Sequence, residues 1–168
     1  MAVPAEVNKE TVRNGIEEIW NKKNIEHEYE IGDPDVVIHA PHTNEPIHGS
    51  DGFIDLIKTI QAAFPDYRIT IHNMVAEGEW VVARFQWTGT HLGPLMDLPP
   101  TGKTVTMEEV NVYRMTPEGK VAELWAHQNM MEMMRQLGLV PDGPPPKAML
   151  LAMRLSERLK ALRPGRGG

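Results

Sequence analysis

From Tyr67 onward the chain adopts a period of two and keeps it, broken only by turn signals, as far as Asn129. Alternation of apolar and polar residues suits a half-buried strand, because successive side chains point to opposite faces of a sheet. YRITIHNMVAEGEWVVARFQWTGTH therefore reads as two strands joined at Glu77, Gly78 and Glu79, which makes a hairpin. The next stretch, LGPLMDLPPTGK (92–103), holds three prolines and two glycines and has to be a loop. TVTMEEVNVYRM then alternates up to the turn TPEGK, and residues 121–129 form one more strand. Consecutive hairpin strands make an antiparallel sheet, and such a sheet needs a cover for its apolar face.

The cover comes mostly from the residues before it. Val12, Ile16, Ile19 and Trp20 fall on one face of an amphipathic helix over roughly residues 5–24. After the turn signal GDP, VVIHAP (36–41) reads as a strand that Pro41 ends. HGSDGFIDLIKTIQAAFPD offers Ser50 or Asp51 as a helix N-cap, Phe53, Ile57, Ile60 and Phe64 as a buried stripe, and Pro65 as a stop. A last helix over 130–137 is closed by Gly138. Helices packed on one face of an antiparallel sheet give an α+β class. A curved sheet of this kind encloses a cone-shaped cavity, where ligands belong.

At 168 residues, 41% hydrophobic and 24% charged, one domain with one core is expected, spanning residues 1–141. Cysteine is absent, which excludes disulfides, zinc-thiolate sites and a Cys nucleophile and suits a reducing cytoplasm. MAVPAEVNKETVRNG lacks the apolar core of a signal peptide, and no run approaches the roughly 18 apolar residues of a membrane span. A soluble, cytoplasmic protein without a membrane partner is the expectation. Residues 147–168 carry a net +5, which leaves −11 on the rest of a chain whose total is −6. An acidic body repels nucleic-acid phosphates, so no nucleic-acid partner is expected. Residues 142–168 read as a proline-rich spacer, a basic helix with Leu151, Leu155, Leu159 and Leu162 in one stripe, and a disordered RPGRGG end.

The segments FPDYRITI, VVARFQWTGTHLGP, LPPTGKTVT, VNVYRMTPEGKVAELW and RQLGLVP resemble the SnoaL-like polyketide cyclases, or ester cyclases, of the nuclear transport factor 2-like superfamily. The likeness runs over about residues 8–141. It implies a cone-shaped fold, a homodimer, and an intramolecular aldol closure in which a carboxylate removes a proton next to a carbonyl. Such chemistry needs no metal and no organic cofactor, because the substrate's own carbonyls delocalise the charge. Typical members carry aspartates after a tryptophan, in a pattern like W-D-x-x-D. Here the matching residues are Trp125, Ala126, His127, Gln128 and Asn129, so both aspartate positions are vacant. Two other functions stay open: epoxide opening, with Glu108 activating water or a hydroxyl, and binding of a hydrophobic metabolite without conversion.

The candidate residues follow from this. His127 could replace the missing carboxylate as base, or it faces away from the cavity by strand alternation. Asn129 would orient the substrate, and His39 on the first strand is a second candidate base or orienter. His39, His42 and His48 straddle a proline-containing loop, so no metal site is expected of them. Val110 and Val112 look core-facing, which by alternation turns Glu108 inward and Glu109 outward; an inward Glu paired with Arg84 or Arg114 is the alternative. Phe85, Trp87 and Trp125 would supply flat walls for an aromatic ligand or plain core. Met130 and Met133 would form an adaptable wall or simply pack. His91 would sit at the cavity lip as a structural, gating or substrate-contacting group.

Overall fold

The computed structural model describes residues 2–141 and 143, with 42 and 96 excepted. The spacer, the leucine-striped helix and the RPGRGG end expected over 142–168 lie outside the described residues but for Gly143, and so does His42. α1 (Ala5–Gly15) runs into a π-helical turn (Ile16–Asn21), followed by a 3₁₀ turn (Ile25–His27) and the short α2 (Glu28–Ile31). The apolar spacing predicts one α-helix to residue 24, but its second half is wider: the Lys22 N–H bonds the Glu17 carbonyl, five residues back, at 3.0 Å. Asn21, which closes the turn, donates to the Ile69 carbonyl at 3.0 Å and accepts the Ile69 N–H at 2.8 Å. The wide turn thus ends on a residue that satisfies the backbone of an edge strand.

β1 (Gly32–His39) begins four residues before the expected strand, and β2 (Ile47–His48) leads into α3 (Gly49–Ala63). Gly49 has φ +76° and turns the chain from strand to helix with no linker. His48 therefore occupies the N-cap position without a side-chain bond, and the expected caps Ser50 and Asp51 lie inside the helix. β3 (Arg68–Glu77) and β4 (Trp80–Thr90) form the expected hairpin around Gly78 and Glu79, Gly78 having φ +57°. β5 (Thr104–Met115), β6 (Val121–Gln128) and α4 (Met130–Gln136) complete the chain.

The six strands lie in the order β2-β1-β6-β5-β4-β3. β3 to β6 pair antiparallel as the hairpins require. β1, however, joins β6 in parallel, Ile38 opposite Leu124, so the sheet is mixed, curved and open. That pairing connects strands more than 80 residues apart, and local alternation carries no trace of it. Val12, Ile16, Ile19, Phe53 and Ile57 from the helices pack with Val36, Ile38, Val81 and Phe85 from the sheet. Full burial of a side chain such as Ile57 or Phe85 is worth about 2 kcal/mol. Asp66 fastens the end of the helical layer to β4, accepting the Thr90 N–H at 2.6 Å and its hydroxyl at 2.7 Å.

Candidate active site

Between the helices and the concave face of the sheet lies a cavity of about 370 Å³. That size falls within the range of small-molecule sites. β4, β5 and β6 contribute alternate residues to it, and β3 contributes Ile69. Phe85 and Trp87 come from β4, Glu109, Asn111 and Tyr113 from β5, Leu124, Ala126 and Gln128 from β6. The helices add Val12, Ile16, Ile19, Trp20, Glu28 and Phe53, and Met130 and Met133 close one side. Cross-strand register sets Gln128 beside Glu109 and Glu109 beside Phe85 in one row, with Ala126, Asn111 and Ala83 in the next.

The face assignment of β5 is the reverse of the expected one. Met107, Glu109, Asn111, Tyr113 and Met115 are buried, whereas Glu108 and Val110 are exposed. Glu108 stands on the outer face, bonded by Arg84 at 2.9 Å and Gln86 at 3.3 Å, with His72 at 3.4 Å. Val110 and Val112 lie on that same outer face, where apolar residues also occur. Arg84 does pair with Glu108, but on the outer face, so the expected inward ion pair does not form.

The remaining candidates divide by parity. His39 and Trp125 project outward, their rings stacked at 5.1 Å and nearly parallel. The outer-face Glu123 accepts from His39 at 2.8 Å and from Arg114 at 3.0 Å, and these bonds hold its carboxyl below the usual range. His127 is exposed on the outer face, opposite Val110, so it faces away from the cavity. Asn129 is no wall residue either: its side chain accepts the Glu132 N–H at 3.1 Å and caps α4. His91 is wholly buried but outside the cavity lining. Its ring accepts the Thr101 N–H at 3.3 Å and its backbone bonds Lys103 and Gly102, which pins the 92–103 loop. Phe85, Trp87, Met130 and Met133 do line the cavity.

Among the described residues the cavity contains two carboxyl groups, Glu109 and Glu28, and neither is a candidate that the sequence singles out. Glu109 is buried on the sheet side and its pKa is pushed up to about 7, by loss of water first, with Asn111 and Trp87 pulling back. Glu28 is buried on the helical side and is likewise raised to about 7 by burial, against Ser50. Burial also raises the Tyr113 and Tyr67 hydroxyls, and Glu109 adds to both shifts, so both stay protonated. Asn111 donates to the Tyr113 hydroxyl at 3.4 Å, which leaves the tyrosine proton free. Four buried atoms of this lining have no partner in the protein: Glu28 Oε1, Trp87 Nε1, Asn111 Oδ1 and Gln128 Oε1. Orphaned polar atoms in an apolar room call for a ligand or water that bonds them. Among the described residues no three His, Asp or Glu side chains converge as a metal-binding group.

The signal for Glu28 was absent from the sequence, since HEYEIG shows one acidic residue among several with no face to assign. For Glu109 the alternation of β5 is a signal, but the apolar Val110 and Val112 put it one position off.

The sequence profile of the SnoaL-like polyketide cyclases matches residues 10–137. A nogalonic acid methyl ester cyclase from Streptomyces nogalater is 28% identical over 106 residues, 62% of this chain and 75% of its own. Among solved structures, IdmH from Streptomyces antibioticus is 30% identical with a TM-score of 0.67, covering 78% of this chain and 98% of that one. AclR from Streptomyces galilaeus is 26% identical with a TM-score of 0.72, covering 94% and 97% respectively.

Proposed function

Because the chain belongs to the SnoaL-like polyketide cyclase family, we propose that it is a cofactor-independent enzyme that moves protons on a hydrophobic, polyketide-like carbonyl compound held in the cone. The buried Glu109 supports this reading above all else. A carboxyl group with a pKa of about 7 is half ionised at neutral pH and strong enough as a base to take a proton flanked by carbonyls. The developing enolate oxygen would find donors in the Trp87 N–H, which makes no hydrogen bond of ordinary geometry and lies near enough to Glu109 to lower its pKa, and in the protonated tyrosine hydroxyls. Phe85, Trp87, Tyr67 and Met133 favour a flat, apolar substrate. Glu109 thus takes the part that the vacant aspartate positions leave open, from the neighbouring strand.

We further propose a homodimer formed through the outer face of the sheet. Val75, Trp80 and Val110 are exposed there, large apolar groups that a second copy would cover.

The test of the catalytic reading is hydrogen-deuterium exchange at C2 of methyl 3-(2-naphthyl)-3-oxopropanoate in heavy water, followed by NMR. The protein should accelerate it, more as pH rises toward 7, and Glu109→Gln should lower the acceleration by roughly a hundredfold. His39→Ala and His127→Ala, altered only on the outer face, should keep the wild-type rate. Binding of the ester, seen by tryptophan quenching, without any acceleration would turn the assignment toward a carrier of hydrophobic metabolites.

A further inference from the structure

The second buried carboxyl has no task in the chemistry above. Glu28 lies in the cavity wall with Oε1 unpartnered, on the helical side, while Glu109 projects from the sheet side. Tyr113 stands within electrostatic reach of both carboxyls. Its surroundings are shaped to keep it: a Cβ on Gly32 would fall 2.3 Å from Glu28 Oε1 and 2.9 Å from the Glu28 carbonyl oxygen. The chain therefore holds open, with a glycine at the start of β1, the space that the carboxyl occupies.

We propose that Glu28 is a second catalytic residue of this cavity, the general acid that delivers a proton to the substrate's carbonyl oxygen while Glu109 removes the proton from carbon. The inference rests on the proton-transfer reading and adds a partner to it. In the step, the C–H bond breaks and its electron pair forms the C=C bond of the enol. The carbonyl π pair moves to oxygen, which takes the proton from the Glu28 carboxyl. Glu109 ends protonated and Glu28 ionised, and the reverse transfer or exchange with water restores both. No oxidant, reductant or metal is consumed. The substrate class narrows accordingly to compounds in which an acidic carbon and a carbonyl oxygen can reach the two walls at once, as in a β-keto ester.

Several features fit an acid on this wall. Burial holds Glu28 protonated up to about pH 7, so it has a proton to give near neutrality. The Ser50 hydroxyl of α3 acts on Glu28 by a hydrogen bond, and both Glu28 and Glu109 act on the Tyr113 hydroxyl of β5. With both carboxyls raised to about 7, the singly protonated pair is the most populated state near pH 7, and it is the one with a base and an acid together.

The experiment is the pH profile of the same C2 exchange in wild type, Glu28→Gln, Gly32→Ala and Glu109→Gln. Wild type should give a bell, its acid limb set by Glu109 and its alkaline limb by Glu28. Glu28→Gln should lose the alkaline limb and roughly a hundredfold in maximal rate, keeping the acid limb. Gly32→Ala presses on the Glu28 carboxyl and on its backbone carbonyl, and, in protein whose circular dichroism matches wild type, should lower the rate while the acid limb stays in place. A Glu28→Gln protein that keeps both its rate and the alkaline limb would overturn the role of Glu28 and leave Glu109 as base. Should Glu109→Gln exchange as fast as wild type, or wild type accelerate nothing, the proton-transfer reading falls and this inference with it.

Discussion

Glu108 and Glu109 are adjacent and chemically identical, yet one is an ion-paired surface residue and the other a buried acid. What separates them is strand parity alone. The consequence for Glu109 is thermodynamic as well as catalytic. Its pKa rises from 4.5 in the unfolded chain to about 7 in the folded one. Below pH 4.5 it is protonated in both states and costs nothing. As pH rises from 4.5 to 7 the unfolded chain ionises first, so stability falls across that window and stays lower above it. The full shift corresponds to about 3 kcal/mol, an upper figure for one group. Glu109→Gln removes this penalty. Thermal unfolding should therefore give the variant a Tm roughly 5 °C above wild type at pH 8, with the gap closing toward pH 4.5. A gap that is the same at every pH, or a variant less stable at pH 8, would mean that Glu109 is not buried as a reluctant anion. A trait of this kind is the usual cost of a functional site, and Val110 and Val112 hide it in the sequence. Apolar residues occupy both faces of β5, so hydrophobicity could not choose between them.

Strands were the most legible elements, because a two-residue period bounded by glycine and proline is a local signal. β5 spans Thr104–Met115, the run that the alternation marks out. Local signals stop where long-range pairing begins. The π-helical turn at Ile16–Asn21 and the parallel β1–β6 ladder both answer to partners distant in the chain, Ile69 for the first and Leu124 for the second. β6 illustrates the same limit in the site. Its alternation puts Trp125 and His127 in one row and Ala126 and Gln128 in the other, but which row faces the cavity depends on the side that the helices cover. Ala126 and Gln128 face inward, and the stacked pair His39 and Trp125 belongs to the outer face. That face, with Val75, Trp80 and Val110 exposed, carries the proposed dimer contact. Sedimentation velocity should give twice the 18.9 kDa chain mass, and Val110→Asp should give the single mass with an unchanged circular dichroism spectrum. A wild-type chain that sediments as a monomer at micromolar concentration would remove the dimer.

At the scale of the whole molecule the cone is what gives its polar residues their chemistry. No neighbouring charge leads the shift of either buried carboxyl; in both, exclusion of water by the surrounding helices and sheet is the largest cause. Sheet, helical layer and the 92–103 loop pinned by His91 must all be in place for that exclusion to hold. The family, and with it the cone, could be read from sequence because turn signals and strand runs keep their order along the chain. The chemistry could not, since it depends on which two of 23 acidic residues end up in the dry room. The most direct measurement is a carbon-13 NMR titration of the glutamate carboxyls from pH 4 to 9. Two resonances should have midpoints near 7, one missing in Glu28→Gln and the other in Glu109→Gln. If every glutamate carboxyl instead titrates between about 4 and 5, the cavity is wet, and neither residue serves as the acid or base proposed for it.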